Sequence, residues 1–263
     1  MKMTGRTELA SEFTARKSGV SCESYELYGE KITEILISED DKAAFGRSSG
    51  RYYTIDSGDV PYVDGQIRAL CTVFRKLLPE GKCLVAGLGN PSVASDSLGW
   101  KTAGKVLATS QFVENMHNSD GIGNIAVIRT DVSANSGIDS VYHAVFCAEK
   151  ISADYIIAID SLTCSDPERL CRTIQITDAG IAPGSGIGGS KKQLDRQTAG
   201  IPVIAVGVPT SMEYENGSDK FFVTRHDIDI EIARYSHVIS TAINRTLCPL
   251  LSQSDIAMLM NYS

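Results

Sequence analysis

The clearest signal in the chain is a change of period. Across residues 64–78, Ile67, Leu70, Cys71, Phe74, Leu77 and Leu78 recur at three- and four-residue steps, the spacing of one apolar helix face. Asp64 stands where an N-cap belongs and Pro79 ends the run, so the pattern predicts an amphipathic helix. Further on, the apolar residues gather into short continuous runs at 82–87, 124–128, 154–159 and 201–207. Runs without polar alternation predict strands buried on both faces. Helical stretches are predicted between and after them at 96–108, 138–151, 166–171 and 227–247, the last stopped by Pro249. Residues 172–177 alternate instead and predict an edge or antiparallel strand, and residues 31–37 and 51–56 read as two earlier strands. The Gly-, Pro- and Ser-rich stretch 180–189 predicts a loop. Buried strands alternating with helices predict an α/β class protein, a three-layer α/β/α sandwich around a largely parallel, mixed sheet. No internal repeat and no linker-like stretch interrupts the pattern, so residues 1–263 are expected to form one domain.

Composition narrows what such a domain does. The 25 Lys and Arg stand against 32 Asp and Glu, a net charge of −7, which argues against binding to a nucleic-acid backbone. The adjacent Lys191 and Lys192 read as solvated surface. No apolar run approaches the ~20 residues a bilayer crossing needs, and no apolar stretch follows the first residues as in a secretory signal. No membrane contact is expected, and a cytoplasmic location is. The seven cysteines are scattered without a CxxC pair, the usage of reduced buried thiols. No metal and no cofactor are expected.

In an open parallel sheet, ligands gather beyond the carboxyl ends of the strands. Two acidic residues fall there. Asp96 follows the 82–87 run after Leu88-Gly89-Asn90-Pro91, and Asp160 follows the 154–159 run directly. Either one alone reads equally as an N-cap for the helix behind it. Together on one rim they form a carboxylate pair that cannot both ionise cheaply and therefore share a proton. The ionised member takes a proton from an attacking water, and the protonated member polarises a carbonyl. Substrate-binding candidates around them are Gly89, Asn90 and Asp178, with Gly184, Ser185 and Gly186 supplying backbone N–H groups from the glycine-rich loop.

Six segments carry a resemblance: Arg6-Thr7-Glu8-Leu9-Ala10, Gly50-Arg51-Tyr52, Gly87-Leu88-Gly89-Asn90, Ala158-Ile159-Asp160-Ser161-Leu162, the run from Thr173 to Gly188, and that from Ile201 to Thr210. On these residues the chain resembles a shortened member of the germination protease family, endopeptidases that degrade small acid-soluble spore proteins. The resemblance implies a phosphorylase/hydrolase-like fold, an aspartic-type mechanism with catalytic Asp96 and Asp160, a homo-oligomer (a tetramer), and work in the spore core. The chain departs from the family pattern at Ala94-Ser95-Asp96-Ser97-Leu98-Gly99, at Pro91, and at Thr130-Asp131-Val132-Ser133-Ala134. The family is made as a zymogen; with five residues before Arg6, its activation step is expected to be absent or different here. Thr7-Glu8-Leu9-Ala10-Ser11-Glu12 resembles the cleavage site in the family's substrates, which suggests a product-like N-terminus beside the plainer reading of an ordered arm. Two alternatives remain: a metal-dependent endopeptidase of the hydrogenase-maturation type, for which no histidine follows a buried strand, and a non-catalytic binding member of the fold.

Overall fold

The computed structural model describes residues 7–14, 21–42, 47–57, 63–115, 121–184, 192–216 and 219–261. Nine strands join one sheet: β1 (Ser21–Leu27), β2 (Glu30–Ile37), β3 (Gly50–Asp56), β4 (Cys83–Gly87), β5 (Ile125–Arg129), β6 (Tyr155–Cys164), β7 (Thr173–Thr177), β8 (Val203–Asn216) and β9 (Asp219–Val223). Their order is β1-β2-β3-β7-β8-β6-β4-β5, with β9 paired to β8. The runs read as doubly buried form the parallel block β8-β6-β4-β5. The remaining strands add on antiparallel, giving a mixed sheet.

Side-chain alternation along each strand fills two separate layers. On one face Ile55, Val85, Ile157, Ile174 and Val206 pack with the helices Val63–Leu77 and Ile228–Leu247. On the other, Leu84, Ala86, Ile156 and Ala158 pack with Val141, Ala144 and Ala148 of the helix Ser140–Ile151. The three-layer α/β/α architecture expected from the sequence is therefore present.

Several boundaries differ from the pattern-based reading. Residues 96–108 are not one helix: a 3-10 turn (Ala94–Asp96) precedes a short helix (Leu98–Ala103). Residues 166–171 hold only the 3-10 turn Pro167–Arg169, where Asp166 accepts from the Glu168 N–H. The alternating segment 172–177 is antiparallel but interior, paired by β3 and β8 and buried at all five positions of β7. Strands β6 and β8 run well past their apolar cores, because residues 161–164 of β6 also pair with β8, across a register shift at Leu162/Thr163. The strands β1 and β9 and the helix Gln253–Asn261 carry no pattern that marked them.

The N-terminal segment 7–14 lies against the second face. Leu9 packs with Leu162, Cys164 and Met212, and Ala10 with Ile35, Ile37 and Tyr52. Both are fully buried.

Candidate active site

The turn carrying Asp96 is pinned to the rim of the parallel block by close backbone approach. A Cβ on Gly99 would sit 2.1 Å from the Ile159 carbonyl oxygen and 2.4 Å from that of Leu88. Only a glycine lets the first turn of the helix Leu98–Ala103 press onto β4 and β6 this tightly. Gly89 holds φ at +100°, and its missing Cβ would stand 2.1 Å from the Asp96 carbonyl oxygen. Thr210, from β8, donates its hydroxyl to the Ser95 carbonyl at 2.6 Å. Three strands thus fix the position of one short turn.

Asp160 lies within β6, not after it, but β4 ends opposite Ile159. Its side chain therefore emerges one residue beyond the end of the neighbouring strand. By alternation with Ile156 and Ala158 it stands on the second face. Both carboxyls line one cleft of about 160 Å3, together with Gly89, Asp139, Val141 and Gly184. Of the sequence candidates, this brings Asp96, Asp160, Gly89 and Gly184 together.

One oxygen of each carboxyl is held by a main-chain donor. The Asn90 N–H donates to Asp96 Oδ2 and the Ser161 N–H to Asp160 Oδ1, each at 2.9 Å. Burial pushes the Asp96 carboxyl up from 3.8 to about 6, against the pull of the Asn90 N–H, with Glu8 and Asp131 adding to the rise. Burial holds Asp160 well above the ordinary carboxylate range; the charges of Asp96 and then Glu8 add to this, and the Ser161 N–H opposes it. Asp160 is only 4% exposed, which accounts for the dominance of desolvation. Burial and the mutual repulsion of the two charges thus favour the protonated form of both carboxyls.

The other candidates have different surroundings. Asn90 acts through its backbone N–H, while its Oδ1 accepts from the Ser92 N–H at 2.9 Å. Asp178 Oδ1 accepts from the Arg51 N–H at 2.7 Å, bracing the β3–β7 pairing. Ser185, Gly186 and Lys191 lie outside the described residues. Among the described residues, no group of three or more His, Cys, Asp or Glu side chains is arranged to hold a metal ion.

Pattern reading did not anticipate how the N-terminal segment reaches this site. The Glu8 N–H donates to the Thr163 carbonyl at 2.9 Å, and its carboxylate accepts from the Thr163 N–H at 2.8 Å and hydroxyl at 3.1 Å. Gln175 clamps the same stretch, donating to the Glu8 carbonyl at 3.0 Å and accepting from the Ala10 N–H at 2.7 Å. Glu12 accepts from the Ser165 N–H at 2.9 Å. Arg47 reaches the Thr7 carbonyl, and with Glu8, Tyr52, Gln175 and Gly207 it lines a second hollow of about 90 Å3. Gly207 pairs with Asp160 across β6 and β8, so this hollow borders the carboxylate cleft. The one available signal was the acidic spacing in Thr7-Glu8-Leu9-Ala10-Ser11-Glu12, and it says nothing about partners more than 150 residues away.

Comparison with known proteins gives a consistent result. The germination protease family model matches residues 1–219. The germination protease of Priestia megaterium is 37% identical over 208 residues, covering 74% of this chain and 56% of that protein. That of Clostridium perfringens is 35% identical over 194 residues, covering 70% of this chain and 60% of its own length. The chain thus spans well under two thirds of the length of these curated relatives. Among solved structures, a NiFe hydrogenase maturation protease from Thermococcus kodakarensis is 14% identical, with a TM-score of 0.40, covering 67% of this chain and 99% of that one.

Proposed function

Because the chain belongs to the germination protease family, we propose that it is an aspartic-type endopeptidase that cleaves small acid-soluble spore proteins. The observation that carries the mechanism is the shared cleft of Asp96 and Asp160, with both carboxyls pushed upward and to different extents. Asp96, the less buried, is the member that ionises first and takes a proton from water as the oxygen attacks the peptide carbonyl. Asp160 keeps its proton, donates a hydrogen bond to the carbonyl oxygen, and then delivers the proton toward the leaving amine. Backbone donors at Gly89 and Gly184 border the space where the peptide lies. Substrate contacts by Asn90, Asp178, Ser185 and Gly186, a single catalytic domain, an assembly of several copies and work in the cytoplasm of the spore core complete the proposal.

The test is incubation of a purified small acid-soluble spore protein with the wild type and with Asp96→Asn and Asp160→Asn. Each variant is expected to lose at least ~1,000-fold in rate, the scale set by removing a group that acts in proton transfer together with its partner. Cleavage that persists in either variant rules out the pair. Cleavage abolished by a chelator and restored by a divalent metal would favour the hydrogenase-maturation type of chemistry instead.

A further inference from the structure

The helix Ser140–Ile151 presents two opposed faces. Val141, Ala144 and Ala148 are buried against the sheet. On the outside, Tyr142 and Phe146 stand one turn apart, 56% and 57% exposed, and Ile138, 54% exposed, precedes the N-cap Asp139. Four-residue steps align side chains along one helical stripe. Tyr142 and Phe146 stand roughly 6 Å apart along the axis, at 1.5 Å per residue. Lysines lie over both rings: Lys192 Nζ is 3.9 Å from the Tyr142 centroid and Lys150 Nζ 5.4 Å from that of Phe146. Lys192 also pairs with Asp139 at 3.4 Å.

The stripe is continuous with the carboxylate cleft. Asp139, Ser140 and Val141 line that cleft and begin the same helix, with Asp139 as its N-cap. The cleft itself, about 160 Å3, is smaller than the ~300–1,000 Å3 of sites that hold even a small ligand by enclosure. A polypeptide cut there has to be held mainly by surface outside it. The helix that shapes one side of the cleft carries such a surface in Tyr142 and Phe146, which lead away from its N-terminal end at the cleft.

We propose that Ile138, Tyr142 and Phe146 form an exosite for the substrate polypeptide, gripping apolar side chains of the segment that continues from the scissile bond. This rests on the protease reading given above. Aromatic rings suit the task because they bring large contact area at small entropic cost. Lys150, over the Phe146 ring, adds a positive charge for carboxylates and carbonyls of the bound chain, whereas Lys192 is paired with Asp139.

The experiment measures binding separately from cleavage. Tyr142→Ala/Phe146→Ala is compared with the parent, both carrying Asp160→Asn so that the probe survives. The probes are a fluorescein-labelled small acid-soluble spore protein and a labelled hexapeptide spanning its cleavage site, read by anisotropy. The double variant is expected to bind the protein about tenfold more weakly and the hexapeptide equally well. Equal affinity for the protein, no binding of it by the parent, or parallel losses for both probes would overturn the exosite. So would a change in sedimentation with unchanged protein affinity, which would assign the stripe to contacts between copies. Continued cleavage of the probe by the Asp160→Asn parent would show as anisotropy that decays with time and would overturn the carboxylate mechanism, while the initial anisotropy, read before cleavage, still tests the exosite.

Discussion

Replacing Asp96 with Asn should cost activity and raise stability, and the gain should depend on pH in a defined sense. The Asp96 carboxyl is lifted from 3.8 to about 6 in the folded protein. Below pH 3.8 folded and unfolded chains both hold the proton, and the side chain imposes no penalty. Between 3.8 and 6 the unfolded chain releases its proton first, so the native state loses ground as pH rises; above 6 the loss is complete. For a fully shielded group the lift is worth about 3 kcal/mol, at 1.36 kcal/mol per pH unit. Asp96 is only half-buried, and solvent screening reduces the expected figure to about 1.5 kcal/mol. Asn keeps an oxygen for the Asn90 N–H, so the substitution removes charge with little change in hydrogen bonding. Removing that charge also eases the ionisation of Asp160, which adds in the same direction. Urea unfolding at pH 4 and pH 8 measures both proteins by linear extrapolation. The variant should gain about 1.5 kcal/mol more over the wild type at pH 8 than at pH 4. An equal difference at both pH values, or a larger gain at pH 4, would refute the idea that burial of this charge strains the native state.

Three further outcomes follow from the same geometry. Peptidase activity should rise through about pH 6, as Asp96 ionises while Asp160 keeps its proton, and fall again at higher pH; a rate independent of pH between 5 and 8 would contradict the shared proton. Gly99→Ala should destabilise the fold by several kcal/mol, on the order of the 3 kcal/mol or more reached by severe overpacking, because the new methyl meets carbonyl oxygens 2.1 and 2.4 Å away; a melting temperature within 3 °C of wild type, roughly the effect of 1 kcal/mol, would show that the helix can retreat. Gln175→Ala removes both hydrogen bonds to the N-terminal segment, so amide exchange at Ala10 should quicken by about tenfold for each 1.4 kcal/mol lost; unchanged protection would mean that the packing of Leu9 and Ala10 suffices.

The legible parts of the fold were those where one physical pattern acts alone. Uninterrupted apolar runs mark β4, β5 and the first half of β6 because helices cover both faces of that block, and the three-four spacing of Ile67, Leu70 and Phe74 marks a helix with one buried side. The interior place of β7 was not readable. Its Thr173, Gln175 and Thr177 are buried polar residues, and alternation of polar with apolar ordinarily means an exposed face. Gln175 is tolerated there because its amide is used by the Glu8 carbonyl and the Ala10 N–H. A polar position that looks solvated in isolation is buried once a distant segment supplies its partners.

The candidate site divides along the same line. Asp96 and Asp160 could be named from sequence because each stands at or beside the place where a parallel strand stops, and topology alone carries them to one rim. Glu8 could not. It reaches the carboxylates because residues 161–164 continue β6 beyond its apolar core and offer the Thr163 backbone to it. That continuation has no hydrophobic signature, being stabilised by pairing with β8 and by Leu9 set between Leu162, Cys164 and Met212. The buried apolar Leu9 is thus what brings a third carboxylate into the field of the pair. It follows that the charge state of the two aspartates depends on the packing of the arm as well as on the sheet: loosening Leu9 would move Glu8 away and lower both of their pKa values, without touching either aspartate side chain.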